Sequence, residues 1–116
     1  PDIILTNGYG LIPGNQGSPR LMLNDTSSGN QALLVDLEGT SANKFGIGAS
    51  VTLTDGNNNV IGFRVQGVNS NISQDTHWIH FGLGEYPAPY HLDVNWPDGV
   101  KKSYSFSEPG RYKVKQ

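Results

Sequence analysis

Residues 32–38 read Ala-Leu-Leu-Val-Asp-Leu-Glu, with Leu33, Val35 and Leu37 on one side of an extended chain and Asp36, Glu38 and Leu34 on the other. A period of two means a strand with one buried and one wet face. The same period returns in residues 49–55, where Val51 and Leu53 oppose Thr52 and Thr54. Residues 77–83 set Ile79 and Phe81 against Trp78 and His80, and residues 91–96 set Leu92, Val94 and Trp96 against His91, Asp93 and Asn95. In residues 100–106, Val100, Tyr104 and Phe106 share a side and Lys101, Ser103 and Ser105 the other. Lys102 falls on the apolar side, which predicts an edge strand where its ammonium reaches water. Residues 111–115 end the pattern with Tyr112 and Val114 inward, and two short apolar runs, 2–6 and 20–24, precede it.

The intervening segments carry turn chemistry. Asp55-Gly56-Asn57-Asn58-Asn59 joins residues 49–55 to a returning run, 60–66, and predicts a hairpin. Pro97-Asp98-Gly99 and Glu108-Pro109-Gly110 are turns in which Pro fixes φ and Gly accepts a positive one. Residues 39–48 predict a structured loop: Ser41 and Asn43 can bond nearby backbone, and Gly46 and Gly48 flank Ile47 where the backbone must bend or pack closely. No window supports a helix of ordinary length. The expected fold is all-β, a sandwich or barrel of about seven strands over residues 31–116, with two extra N-terminal strands of different origin in residues 1–30.

Composition narrows the function classes. With 116 residues the chain suits one domain, and its 15 Gly and 7 Pro match many short strands. Net charge is −2 with no basic block, so neither nucleic acid nor an anionic membrane is an expected partner. No apolar run approaches a bilayer span, so no membrane insertion is expected. Cysteine is absent, which removes disulfides, thiolate zinc and a cysteine nucleophile. Two glycosylation sequons occur, Asn24-Asp25-Thr26 and Asn71-Ile72-Ser73. Pro1 begins abruptly in a strand lead-in, which predicts a start inside a longer protein.

Candidate chemistry is sparse. Asp55, Asn57 and Asn59 alternate as in a calcium loop, but one carboxylate and two amides are a poor oxygen set, and a hairpin turn explains them better. His77 and His80 sit three apart on a strand and face opposite ways, so with His91 they make no natural metal site. Asp36 with Glu38, and Asp93 with Asp98, are carboxylate pairs of the kind glycoside hydrolysis uses, but solvated strand faces account for them. No catalytic residue, metal or cofactor is therefore expected. For binding, Tyr86 and Tyr90 flank prolines in a loop and are expected to be exposed. The polar segment 66–74, with Gln66, Asn69, Ser73 and Gln74, is the other candidate, because binding residues gather on loops held by rigid sheets.

Four segments in order, Gly39–Ala49, Ser73-Gln74, His80–Gly84 and Val94–Gly99, resemble the ASPIC/UnbV domain, the C-terminal module of proteins related to cartilage acidic protein. The likeness runs from about Gln31 to Val100, and departs from the family pattern at Lys44-Phe45, where charged residues are usual. In that family the module follows FG-GAP (VCBS-type) repeats, and residues 1–8 with 19–24 look like part of a last repeat. The resemblance implies a non-catalytic, secreted or cell-surface module that mediates adhesion or binds a protein or glycan partner. Calcium, if any, would sit in the upstream propeller, since only Asp2 could belong to an acidic loop here. As a propeller remnant, residues 1–24 would either pack on the sandwich edge or pair with another molecule, since exposed edges invite pairing. The alternative is a carbohydrate-binding module using the loop aromatics.

Overall fold

The structure, a computed structural model, describes residues 2–5, 17–25, 29–67 and 76–116. Among these it is all β, with nine strands and no helix: β1 (Ile3–Leu5), β2 (Arg20–Met22), β3 (Ala32–Glu38), β4 (Ser50–Thr54), β5 (Val60–Val65), β6 (Trp78–Gly82), β7 (Tyr90–Asn95), β8 (Lys101–Phe106) and β9 (Gly110–Lys115). The last seven form two sheets, ordered β6-β3-β9 and β5-β4-β7-β8, and neither closes into a barrel. Of the two expected architectures, the sandwich is the one formed.

The inward residues are those the alternation marks. Leu33, Val35 and Leu37 of β3 meet Val51 and Leu53 of β4 and Leu92 and Val94 of β7 in one buried core. Each such side chain contributes about 1.5–3 kcal/mol on burial. Strand β3 is central in its sheet, antiparallel to β6 and parallel to β9. Strand β8 is an edge, which gives Lys102 its access to water as expected. Val100 departs from expectation: it precedes β8, in the turn, and is exposed.

The 55–59 turn works as a hairpin. Asp55 is 1% exposed, and its Oδ1 accepts from the backbone N–H of Asn57 and Asn59 while Oδ2 accepts from Asn59 Nδ2. Burial pushes this carboxyl up, but the bonds from Asn59 and Asn57 outweigh it and hold the pKa below the ordinary 3.8. Asn58 takes φ of 63°, and a bulge follows where Leu53 pairs Gly62 but Thr54 pairs Val60.

Among the described residues, strands β1 and β2 pair only with each other, as a separate two-stranded sheet. Asp2 Oδ1 accepts from the Asn24 backbone N–H at 2.9 Å. All six strand residues are exposed, Ile3, Ile4, Leu5, Leu21 and Met22 among them.

Candidate functional site

Two loops and the C-terminal residue gather at one end of the sandwich, past the C-terminal ends of β3, β7 and β9. The first is residues 39–48. Asn43 staples it, accepting from Ile47 N–H at 2.7 Å and donating through Nδ2 to Ile47 O at 2.8 Å. Ser41 does not bond local backbone as its position predicts. Its hydroxyl donates to Asp98 Oδ2 at 2.5 Å, on the β7–β8 turn.

Gln116 completes this junction. Its Oε1 accepts from three consecutive backbone N–H groups, Thr40, Ser41 and Ala42, at 2.9–3.1 Å. Converging amides of this kind form a nest for an oxygen acceptor. Its Nε2 donates to Asp98 Oδ2 at 2.6 Å. The loop is thereby tied to both the end of β9 and the 97–99 turn.

The Ser41 hydroxyl is the largest influence on Asp98; with the Val100 N–H and Gln116, it outweighs burial and holds the carboxyl below 3.8. A folded-state pKa below the unfolded one stabilises the protein above the unfolded value, and that stabilisation vanishes as pH falls through the folded value. Asp55 and Asp98 act in the same direction. The melting temperature is therefore expected to hold from pH 7 to about pH 4.5 and to drop below pH 3.8, with Asp98→Asn flattening part of the drop. Parallel profiles for the two proteins between pH 4.5 and pH 2.5 would rule out this role.

Beside the junction, on the outer face of the β6-β3-β9 sheet, lies an open cleft of about 350 Å³. Strand β3 contributes Asp36, Leu37 and Glu38, strand β9 Lys113, the start of β6 His77 and Trp78, and the loop Lys44 and Phe45. Pairing sets Trp78, Asp36 and Lys113 in one row across the sheet. Phe45 and His77 stack, with centroids 4.7 Å apart and planes 10° from parallel. Lys44 Nζ lies 5.9 Å from the Phe45 centroid. Lys113 Nζ lies 3.8 Å from both Asp36 Oδ2 and Glu38 Oε2, and Lys115 Nζ 3.7 Å from Glu38 Oε1.

The candidates read from sequence are dispersed. Tyr86 is 42% exposed at the opposite end, in the β6–β7 loop. Tyr90 is corrected: it is 5% exposed, because β7 begins one residue earlier than expected and gives it the inward parity of Leu92 and Val94. Its hydroxyl donates to Tyr86 O at 3.0 Å. The two tyrosines therefore make no paired platform. Gln66 is also buried, at 8% exposed. Its Nε2 donates to Phe45 O at 3.4 Å and His77 O at 3.2 Å, beneath the stacked pair. It holds the cleft wall in place. Asn69, Ser73 and Gln74, and the Asn71 sequon, lie outside the described residues, as does Thr26 of the other sequon.

The histidines do not converge. His77 stacks on Phe45, His80 faces out from β6, and His91 Nδ1 lies 3.0 Å from Ser105 Oγ on the other sheet. Asp93 accepts from Ser103 Oγ at 2.5 Å on that sheet, apart from Asp98 in the turn. Trp96 is buried, and among the described residues its Nε1 has no acceptor at hydrogen-bonding geometry. The nearby Tyr104 hydroxyl donates to Lys115 O at 2.6 Å. Burial raises its pKa above 10.0, and the Trp96 N–H dipole offsets part of that rise.

Sequence reasoning missed the cleft. Its signals were present: Trp78 and Lys44-Phe45 are large or charged residues at outward or loop positions, and Asp36 and Glu38 share the outward face of β3. What alignment of periods could not show is that β6 and β9 flank β3.

The profile of the family described as ASPIC and UnbV matches residues 39–114. No curated protein and no solved structure matches the chain. The match begins at the loop that walls the cleft and ends within β9.

Proposed function

This chain belongs to the ASPIC and UnbV family, and from that premise we propose that it is a non-catalytic extracellular contact module, C-terminal to an FG-GAP propeller, that mediates adhesion or binds a protein partner. Domains of this family are β-rich modules usually found with FG-GAP repeats. The observation that carries the reading is the cleft itself, an open, aromatic-walled and charged recess built where the 39–48 loop leans over the outer face of a rigid sandwich. The two carboxylates in it, Asp36 and Glu38, lie two apart on one strand and on one face. They stand side by side on one wall, and the Lys113 ammonium lies in ion-pair range of both, an arrangement that favours contact over hydrolysis.

The β1–β2 ribbon supports the propeller reading. A lone pair of strands is marginal in water, and exposed apolar residues on it are what the end of a larger sheet would show. The same exposure supports edge pairing with another molecule. On this reading the chain uses no cofactor of its own. Asp2 is already held by the Asn24 N–H, and one carboxylate is no calcium cage.

The test is a binding screen of the immobilised full chain against cell-surface and matrix components of the source organism. At least one saturable partner is expected, with its retention cut roughly tenfold or more when Phe45 and Trp78 are both replaced by Ser. A screen without any saturable partner would count against the reading. So would a hydrolytic activity that dies with Asp36→Asn or Glu38→Gln.

A further inference from the structure

We infer that the cleft between β3, β6 and the 39–48 loop is a seat for one pyranose ring of a glycan, with Trp78 as its stacking platform and Asp36, Glu38, Lys44 and Lys113 as its polar contacts. This rests on the contact-module reading and names the chemistry of what is contacted.

The first argument is hydrogen-bonding capacity. The Lys113 and Lys115 ammonium groups stand 3.7–3.8 Å from the Asp36 and Glu38 oxygens. That is ion-pair range but beyond hydrogen-bond range. Lys44 Nζ faces the Phe45 ring at 5.9 Å, and none of the described carboxylates pairs with it in an ion pair. The lining thus offers acceptors and donors side by side. A guanidinium or ammonium only donates, and a carboxylate or phosphate only accepts. A row of hydroxyls does both, and each can donate to a carboxylate while accepting from an ammonium.

The second argument is charge. The cleft lining carries two carboxylates and two lysines, and Lys115 adds a positive charge beside Glu38, so charges of both signs are interleaved there. A cationic peptide, an acidic peptide and a nucleic-acid backbone each meet repulsion as well as attraction there. An uncharged ligand is not penalised.

The third is shape. Trp78 lies half-buried at the start of β6 with Asp36 opposite it in register, so an aromatic surface stands beside a carboxylate. A pyranose has an apolar C–H face and an equatorial rim of hydroxyls, and such a pair of surfaces fits both at once. About 350 Å³ is at the small end of ligand sites, enough for a sugar ring and too little for a helix. Gln66 bonds Phe45 O and His77 O from beneath, so the recess is pre-formed and a ligand need not order it.

The test uses the full chain and a printed array of defined oligosaccharides, followed by calorimetric titration of the best one into each variant. Binding is expected for a subset sharing one terminal or internal ring. Trp78→Ala is expected to abolish it, Trp78→Tyr to restore most of it, and Asp36→Asn to weaken it roughly tenfold, the scale of a charge-assisted bond. Buried Trp96 reports that each variant is folded. If Trp78→Ala does not fold, Asp36→Asn and Trp78→Tyr decide. An array without signal overturns the inference, and so does affinity unchanged within twofold in Trp78→Ala and Asp36→Asn. Retention of a protein partner after enzymatic removal of its glycans also overturns it, while leaving the contact-module reading intact.

Discussion

Replacing Phe81 with alanine is expected to cost about 3–5 kcal/mol of stability. A domain of this size holds about 5–15 kcal/mol in all, so the variant should melt at least roughly 10 °C lower. The size of the effect follows from where the ring sits. Phe81 is buried in β6, at the seam where an edge of one sheet meets β5 of the other. A Cβ placed on Gly62 of β5 would come within 3.3 Å of Phe81 Cδ1, so the ring fills space that β5 leaves open by having no side chain there. The Arg64 guanidinium lies 5.7 Å from the ring centroid and covers the same seam. Truncation to alanine would leave a void bordered by backbone, which cannot collapse to fill it. Urea unfolding followed by far-ultraviolet circular dichroism is the measurement. A loss below about 1 kcal/mol would show that the ring is not packed as described.

Gly46→Ala should follow, at about 2–5 kcal/mol. Gly46 takes φ of 61°, which costs an alanine about 1–2 kcal/mol. The new methyl would also lie 2.9 Å from Leu37 Cβ and 3.3 Å from Trp96 Cζ3, and forcing it in costs about 1–3 kcal/mol more. Both neighbours are buried and neither can swing away. The strain would be relieved by lifting the loop, which carries Phe45 away from His77 and breaks its carbonyl's bond to Gln66. Glycan or partner binding at the cleft should therefore weaken along with stability. Gly82→Ala is the control, since nothing lies within 4 Å of its Cβ position, and it should stay within about 0.5 kcal/mol of the parent. Equal melting temperatures for Gly46→Ala and Gly82→Ala would refute the packing account.

Most of the strand pattern was readable because each strand has one dry face, and a period of two is a local property of the chain. Leu33, Val35, Leu37, Leu92 and Val94 announce themselves this way. The 55–59 turn was readable for the same kind of reason: Asp55 bonds residues two and four positions away. The misreadings were local too. Tyr90 has the parity of Leu92 and belongs to β7, and the adjoining prolines disguised that. Val100 shares the parity of Tyr104 but follows directly on the 97–99 turn, which has not yet released the chain, and its N–H still bonds Asp98 Oδ1 at 3.2 Å.

The candidate site was not readable in that way. Ser41 reaches across 57 residues to Asp98, and Gln116 across about 75 to the amides of Thr40–Ala42. A hydroxyl or carboxamide carries no local mark of a bond that distant. The Lys44–Phe45 pair stood out only as a departure from the family pattern, with nothing to say that it would lean over β3.

Spacing and residue type alone decided that this chain is all β, where its strands begin within a residue or two, and which side of each strand is dry. Those properties come from the pleat and from apolar burial, and both act over a few neighbouring residues. Folding in three dimensions decided the order β6-β3-β9, the parallel match of β3 with β9, and so the meeting of Trp78, Asp36 and Lys113 in one row. Strand order is a choice among many pairings whose faces are equally dry. It is settled by loop reach and by packing of the whole core, neither of which any short window of sequence contains.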